Sequence, residues 1–237
     1  QSLCSEAGES LNMATLGSTG KTDSRQFDGK RKLLLVPLLP VPPALDDDHA
    51  DLLERHWESV ENQINNLEKT LGTVSSIFHE MLYGEGDQVE SLLQQISPRS
   101  FPVVKKITGS SGTLKATEDP DILMEMTDWQ RCLSIGLMSQ AAYQLISEKY
   151  QSLSQSRFEK IGEVIDKEME ENSVGLIFIS EDHRVQFSAD IQVFYVSPPT
   201  HNDLKLAIQT YIEKQNTPVQ SDDGDDNETT DEGDVRE

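Results

Sequence analysis

The alternation of strand-like and helix-like segments is the feature that most constrains the fold of this chain. Five short runs with the apolar or β-branched content of strands lie at 33–36, 74–82, 113–117, 174–179 and 191–196. Most of the segments between them have apolar residues every three or four positions, as in amphipathic helices. Strands that alternate with helices favour right-handed crossovers and a parallel sheet covered on both faces. We therefore predict an α/β fold: a single three-layer domain with about five mostly parallel strands.

Capping residues and helix-breaking residues define the bounds of the predicted helices. Acids at 46–48 can cap a first helix that Gly72 ends, and Asp119 followed by Pro120 starts another. Gly136 separates that helix from the next one. The predicted helices cover about 48–71, 87–96, 101–107, 120–135, 139–150 and 154–169, with a last one that begins at Thr200 or Asn202.

Both ends of the chain lack the apolar residues that a core requires. Residues 1–29 are rich in Ser, Thr and Gly, and residues 216–237 are almost wholly polar. Such segments bury too little apolar surface to offset the entropy of ordering. We predict a disordered head at 1–29, one α/β domain at 30–215 and a disordered acidic tail at 216–237. The tail is either a solvated extension or a segment that binds a partner.

Charge and cysteine content exclude some classes of function. The formal net charge is −22; the tail's nine acids and single arginine account for −8 of it, which leaves −14. An acidic body argues against binding to a phosphate backbone, so no nucleic-acid partner is expected. Cys4 and Cys132 make neither a disulfide framework nor a zinc cluster, which favours a reducing, cytoplasmic setting.

One apolar segment has the order of a targeting sequence. Basic residues at 30–32 precede LLLVPLLPVPPAL, which contains four prolines and is too short to cross a bilayer. We interpret it as the first buried strand followed by a Pro-rich loop, and we expect no membrane span.

His49 and His56 lie seven residues apart on the first helix, too far for both to bind one metal ion. We therefore expect them to be residues of the helix surface.

Ionisable side chains follow several predicted strands. In a parallel sheet the carboxyl ends of the strands share one edge, where ligands and catalytic groups collect. Two imidazoles and several carboxylates at that edge could hold a divalent metal that acidifies water, or act as a general acid and base. The proposed metal ligands are His79, His183 and Glu181, and the proposed catalytic residues are Glu118, Asp119 and Asp182. The alternative is that 118–119 caps a helix and 181–184 is a polar turn.

Four segments carry a resemblance to known proteins. They are 32–37, 117–120, 175–179 with His183, and 190–193. Over roughly residues 30–198 the chain resembles a group of uncharacterised bacterial and archaeal α/β proteins. The strand-end histidine and acids of that group are in turn similar to hydrolases of the erythromycin-esterase, TraB and Tiki type. The group's first strand tends to end Pro-x-x-His, whereas this chain has Pro37-Leu38-Leu39-Pro40 and so lacks a ligand there.

Two hypotheses of function follow. The first is a binding or regulatory role toward a protein or small-molecule partner, without catalysis. The second is a hydrolase, either metal-dependent or based on carboxylates and histidine. The hydrolase requires the candidate side chains to converge in a concave pocket. Binding to a protein partner requires an exposed apolar patch.

Overall fold

The computed structural model describes residues 29–216, apart from the side chains of residues 46 and 47. The predicted head and tail therefore lie almost wholly outside the described residues. The strands are β1 (Arg31–Leu38), β2 (Val74–His79), β3 (Thr113–Lys115), β4 (Val174–Ser180) and β5 (Ile191–Tyr195). The helices of the described part are α1 (Pro43–Asp48), α2 (Ala50–Leu71), α3 (Asp87–Ile96), α4 (Phe101–Thr108), α5 (Pro120–Ser134), α6 (Gln140–Glu168) and α7 (Pro199–Asn216).

The five strands form one sheet in the order β3-β2-β4-β1-β5, and every pairing is parallel. β1 pairs with β4 along its length, from Lys32 opposite Val174 to Leu38 opposite Ser180. The continuous apolar run at 33–36 is buried on both faces, which explains why it lacks the alternation of a half-exposed strand. The predicted parallel α/β fold is confirmed.

Helices cover both faces of the sheet and give three layers. On one face, α2, α3 and α4 pack against alternate strand residues, including Leu34, Leu176 and Phe178. On the other face, α6 packs against the intervening residues, including Leu33, Leu35 and Ile177. α7 lies on α2 and forms a smaller cluster with it. No helix of the described residues is long and apolar enough to span a membrane.

Two predicted helix boundaries were wrong. The helices expected at 139–150 and 154–169 are one helix, α6, because the intervening segment has no Gly or Pro to end it. The helix predicted at about 48–71 is α2, which follows His49, whose φ of −126° and ψ of 30° are not helical, whereas the end of the predicted Pro-rich loop forms a helix at Pro43–Asp48. The short α1 that results packs Leu45 into the cluster formed with α2 and α7.

The connections that follow neighbouring strands lie on opposite faces of the sheet. β1 and β2 are followed by helices of the first face, whereas β4 is followed by residues 181–190, whose Val185 and Phe187 pack on the second face. This connection crosses β1 to reach β5 without a helix. A crevice forms at the carboxyl ends of β1, β2 and β4, where these connections turn toward opposite faces of the sheet.

Candidate ligand pocket

A cavity of about 800 Å³ occupies this crevice. Its wall is formed by residues 37–41 at the end of β1, 79–81 at the end of β2, 180–182 at the end of β4 and 96–99 at the end of α3. Side chains of α2 and α7, among them Trp57 and Leu204, complete it. Most of the lining side chains are apolar, and polar groups enter at the strand ends. A concave, mainly apolar surface with a few polar groups is typical of a small-molecule site.

His79 lies in the wall as a neutral imidazole. Its ring stacks on Phe178 with 5.5 Å between ring centroids, and the residue is 2% exposed. Nδ1 lies 2.7 Å from the carbonyl oxygen of Glu80 and must donate to it, because a carbonyl only accepts. Burial lowers the pKa of His79 to about 4. Nε2 is therefore an unprotonated acceptor at neutral pH.

Two serines connect this imidazole to the pocket. Ser100 Oγ lies 3.3 Å from His79 Nε2 and 2.7 Å from Ser97 Oγ. Nε2 has no proton, so it can only accept from the Ser100 hydroxyl, which also lies within donating distance of Ser97 Oγ and, at 3.2 Å, of the Ser97 carbonyl oxygen. Ser97 lines the cavity, so the two serines connect the buried imidazole to the pocket.

A buried ion-pair cluster forms the wall at the ends of β2 and β4. Arg157 of α6 donates from Nε to both carboxylate oxygens of Glu118, each at 3.0 Å, and its Nη2 lies 3.4 Å from Glu80 Oε2. Ser180 Oγ donates to the other oxygen of Glu80. The side chains of Arg157, Glu80 and Glu118 are 12%, 10% and 1% exposed. Two buried carboxylates thus share one guanidinium group.

A second polar group joins the β4 end to α2 and α7. Lys205 Nζ donates to both oxygens of Glu181, at 2.8 and 2.7 Å, and holds the pKa of that carboxyl below its ordinary value. His201 Nε2 lies 3.7 Å from the same carboxylate. The rings of His201 and His56 are 5.8 Å apart, and burial, together with the neighbouring imidazole of His201, lowers the pKa of His56 to about 4.

The prediction that His56 lies on a helix surface was wrong. It is 4% exposed because α7 covers this side of α2, and it lines the pocket. Its Nδ1 lies 3.4 Å from Thr200 Oγ1. The helical pattern of α2 alone does not reveal a covering helix that follows some 140 residues later in the chain.

The structure separates the residues predicted to form a catalytic centre. Among them, His79, Glu181 and Asp182 line the pocket, and Glu118 lies behind Glu80 in the cluster around Arg157. Asp119 instead caps α5, where its Oδ1 accepts from the backbone N–H of Asp121 at 2.9 Å and of Ile122 at 3.4 Å. That arrangement corresponds to the helix-capping alternative.

The predicted metal ligands do not form a ligand set. His183 Nδ1 accepts from the N–H of Val185 at 3.3 Å, its ring lies 6.0 Å from Phe187, and burial lowers its pKa. His79 is hydrogen-bonded through both ring nitrogens, and Glu181 is paired with Lys205. Within residues 29–216, no group of three or more His, Cys, Asp or Glu side chains could hold a metal ion.

The residues that form ion pairs and hydrogen bonds with these side chains were not predicted from the sequence. Arg157, Lys205 and His201 lie on helices, far along the chain from the strand ends they contact. Ser100 precedes α4 and had no motif to mark it. A basic residue on the sheet-facing side of a predicted helix, as at Arg157, was the one available signal, because a buried cation needs a carboxylate partner.

Comparisons with known proteins add no assignment. A scan against family models and searches of curated proteins and of solved structures found no match to this chain. The resemblance to bacterial and archaeal α/β proteins, and through them to hydrolases, stays a prediction. The interpretation of function therefore depends on the pocket itself.

Proposed function

We propose that this protein binds a small molecule with a mainly apolar body in the pocket at the ends of β1, β2 and β4. The observation that carries the proposal is the cavity of about 800 Å³ at the place where the connections of neighbouring strands part. Small-molecule sites have about 300–1,000 Å³ and occur preferentially at this point of an open α/β sheet.

The segment after β1 supplies a stiff apolar wall. Residues 37–41 read Pro-Leu-Leu-Pro-Val, and all five line the cavity. Proline fixes its own φ and restricts the residue before it, so the segment has little conformational freedom to lose when a ligand binds. Pro40 stands where the resembling group tends to carry histidine. An apolar ring there favours contact with a hydrocarbon surface over metal binding.

The ionisable groups near the pocket are already paired, capping a helix or held neutral, which favours binding over hydrolysis. Glu118 is held by Arg157, and Asp119 caps a helix. His79, with a pKa of about 4, is a weak base at neutral pH, whereas an efficient general base has a pKa near the working pH. The second hypothesis, a metal-dependent or carboxylate/His hydrolase, draws no support from these contacts.

A fluorescence titration tests the proposal. The neutral apolar dye N-phenyl-1-naphthylamine should bind saturably and brighten, and Trp57 in the pocket wall should be quenched. Val41→Phe adds volume to the wall and should weaken binding by about tenfold, the effect of about 1.4 kcal/mol. The matched control is Leu206→Phe, at an exposed position of α7, which should bind as the wild type does. Dye binding that is absent, or unchanged by Val41→Phe, would overturn the proposal.

A further inference from the structure

We infer that the molecule bound in this pocket is an organic amine, whose ammonium group lies against the carboxylates of Glu80 and Asp182. The inference rests on the proposed function, because it names the chemical class of the ligand for the same cavity. Two features of the wall carry it: an excess of carboxylates over cations at the strand ends, and an aromatic ring beside them.

The first feature is the charge balance. Glu80, Glu181 and Asp182 line the cavity, and of the described lining residues only Arg99 is cationic. Lys205 neutralises Glu181, but Arg157 behind the wall is shared between Glu80 and Glu118. Glu80 therefore shares its cation with a second carboxylate, and Asp182 is an exposed carboxylate at the cavity edge. Buried charges are normally paired, and a ligand cation would complete the pairing at Glu80, whose side chain is 10% exposed.

The second feature is Trp57, which lines the same cavity and lies 6.3 Å from Phe178 between ring centroids. An indole face attracts a cation within about 6 Å and also packs well against hydrocarbon. Together with the Pro-rich segment after β1, it provides for the apolar body of the ligand. The wall therefore suits an alkyl or aryl group that ends in an ammonium.

Calorimetric titration of the full chain with three matched probes tests the inference. The probes are 4-phenylbutylamine, 4-phenylbutan-1-ol and 4-phenylbutanoate, which share one carbon skeleton and differ in the charge of the head group. We expect the amine to bind about tenfold tighter than the alcohol, the gain of one charge-assisted hydrogen bond, and the carboxylate to bind weakest. An alcohol as tight as the amine, or a tighter carboxylate, would overturn the inference and leave the proposed function in place. If none of the three binds and the neutral dye also fails, the proposed function itself falls.

Two variants locate the ammonium group. Glu80→Gln and Asp182→Asn should each reduce the preference for amine over alcohol by about threefold to tenfold while affinity for the alcohol is kept. Glu80→Gln should fold, because Glu118 keeps its two contacts with Arg157 and the amide oxygen can still accept from Ser180. The matched control is Glu85→Gln, an exposed acid outside the cavity, which should leave the preference unchanged. A preference unaltered in both pocket variants contradicts the assignment.

Discussion

Mild acid should destabilise this protein through two buried histidines, His56 and His79. Both are neutral in the folded state, with pKa values lowered from 6.5 to about 4. In the unfolded chain each imidazole takes up a proton near pH 6.5. The unfolded state therefore binds more protons between these two values, and the free energy of unfolding should fall as the pH drops from 6.5 toward 4.

The size of the effect follows from the two pKa values. Lowering one pKa from 6.5 to about 4 makes the free energy of unfolding about 3 kcal/mol larger at pH 8 than at a pH well below 4. About 2 kcal/mol of this contribution should be lost when the pH falls from 8 to 5. Both imidazoles are almost fully buried, at 4% and 2% exposed, so solvent screens them little. The two together should account for a loss of about 4 kcal/mol between pH 8 and pH 5. The paired carboxyls, such as Asp166 and Glu181, have lowered pKa values and stay ionised at pH 5.

Urea unfolding at pH 8 and pH 5, followed by circular dichroism, measures this loss. His79→Gln and His56→Gln should each lower stability at pH 8, but each should also reduce the loss on acidification by about 2 kcal/mol. His49→Gln, at an exposed position between α1 and α2, is the matched control and should leave the loss unchanged. If the loss between pH 8 and pH 5 is the same in all three variants and the wild type, the two imidazoles are not held neutral by burial and the reasoning is refuted.

Three further substitutions test the packing around the pocket, each by urea unfolding at neutral pH. Arg157→Leu should cost about 3–5 kcal/mol, because it leaves two buried carboxylates without their cation; a cost below about 1 kcal/mol would contradict the buried cluster. Asp119→Ala should cost about 1 kcal/mol by removing the cap of α5, whereas Asp121→Ala, in the first turn of that helix, should cost less. Gly175→Ala should cost about 1–3 kcal/mol, since the added methyl would lie 2.9 Å from the sulfur of Met169; an unchanged stability would refute the close packing there.

The fold could be predicted because its signals are local. Each strand is a short apolar run, and caps such as Asp119 and stops such as Gly72 are read within a few residues. The order of the strands could not be predicted, since nothing local places β4 between β2 and β1. The short helix α1 was missed for a similar reason: it places Leu45 in a cluster that α7 completes, and that contact is tertiary.

The site could be predicted only as far as the edge of the sheet. The strand ends correctly indicated that His79, Glu181 and Asp182 share one region. They did not indicate which face each side chain takes, because the turn after β4 sends His183 toward Phe187 on the second face. Nor did they reveal the cations on α6 and α7 that neutralise the acids.

The length of α6 has a mechanical consequence. Its 29 residues extend about 43 Å, whereas the seven residues of β4 extend about 23 Å. Only Ile161 and Ile165, in its second half, are buried, and its first half packs chiefly on α5. Arg157 lies near the middle of this rod and is tied to the pocket wall through Glu80. The ion pair therefore anchors the middle of this rod to the pocket wall at the end of β2.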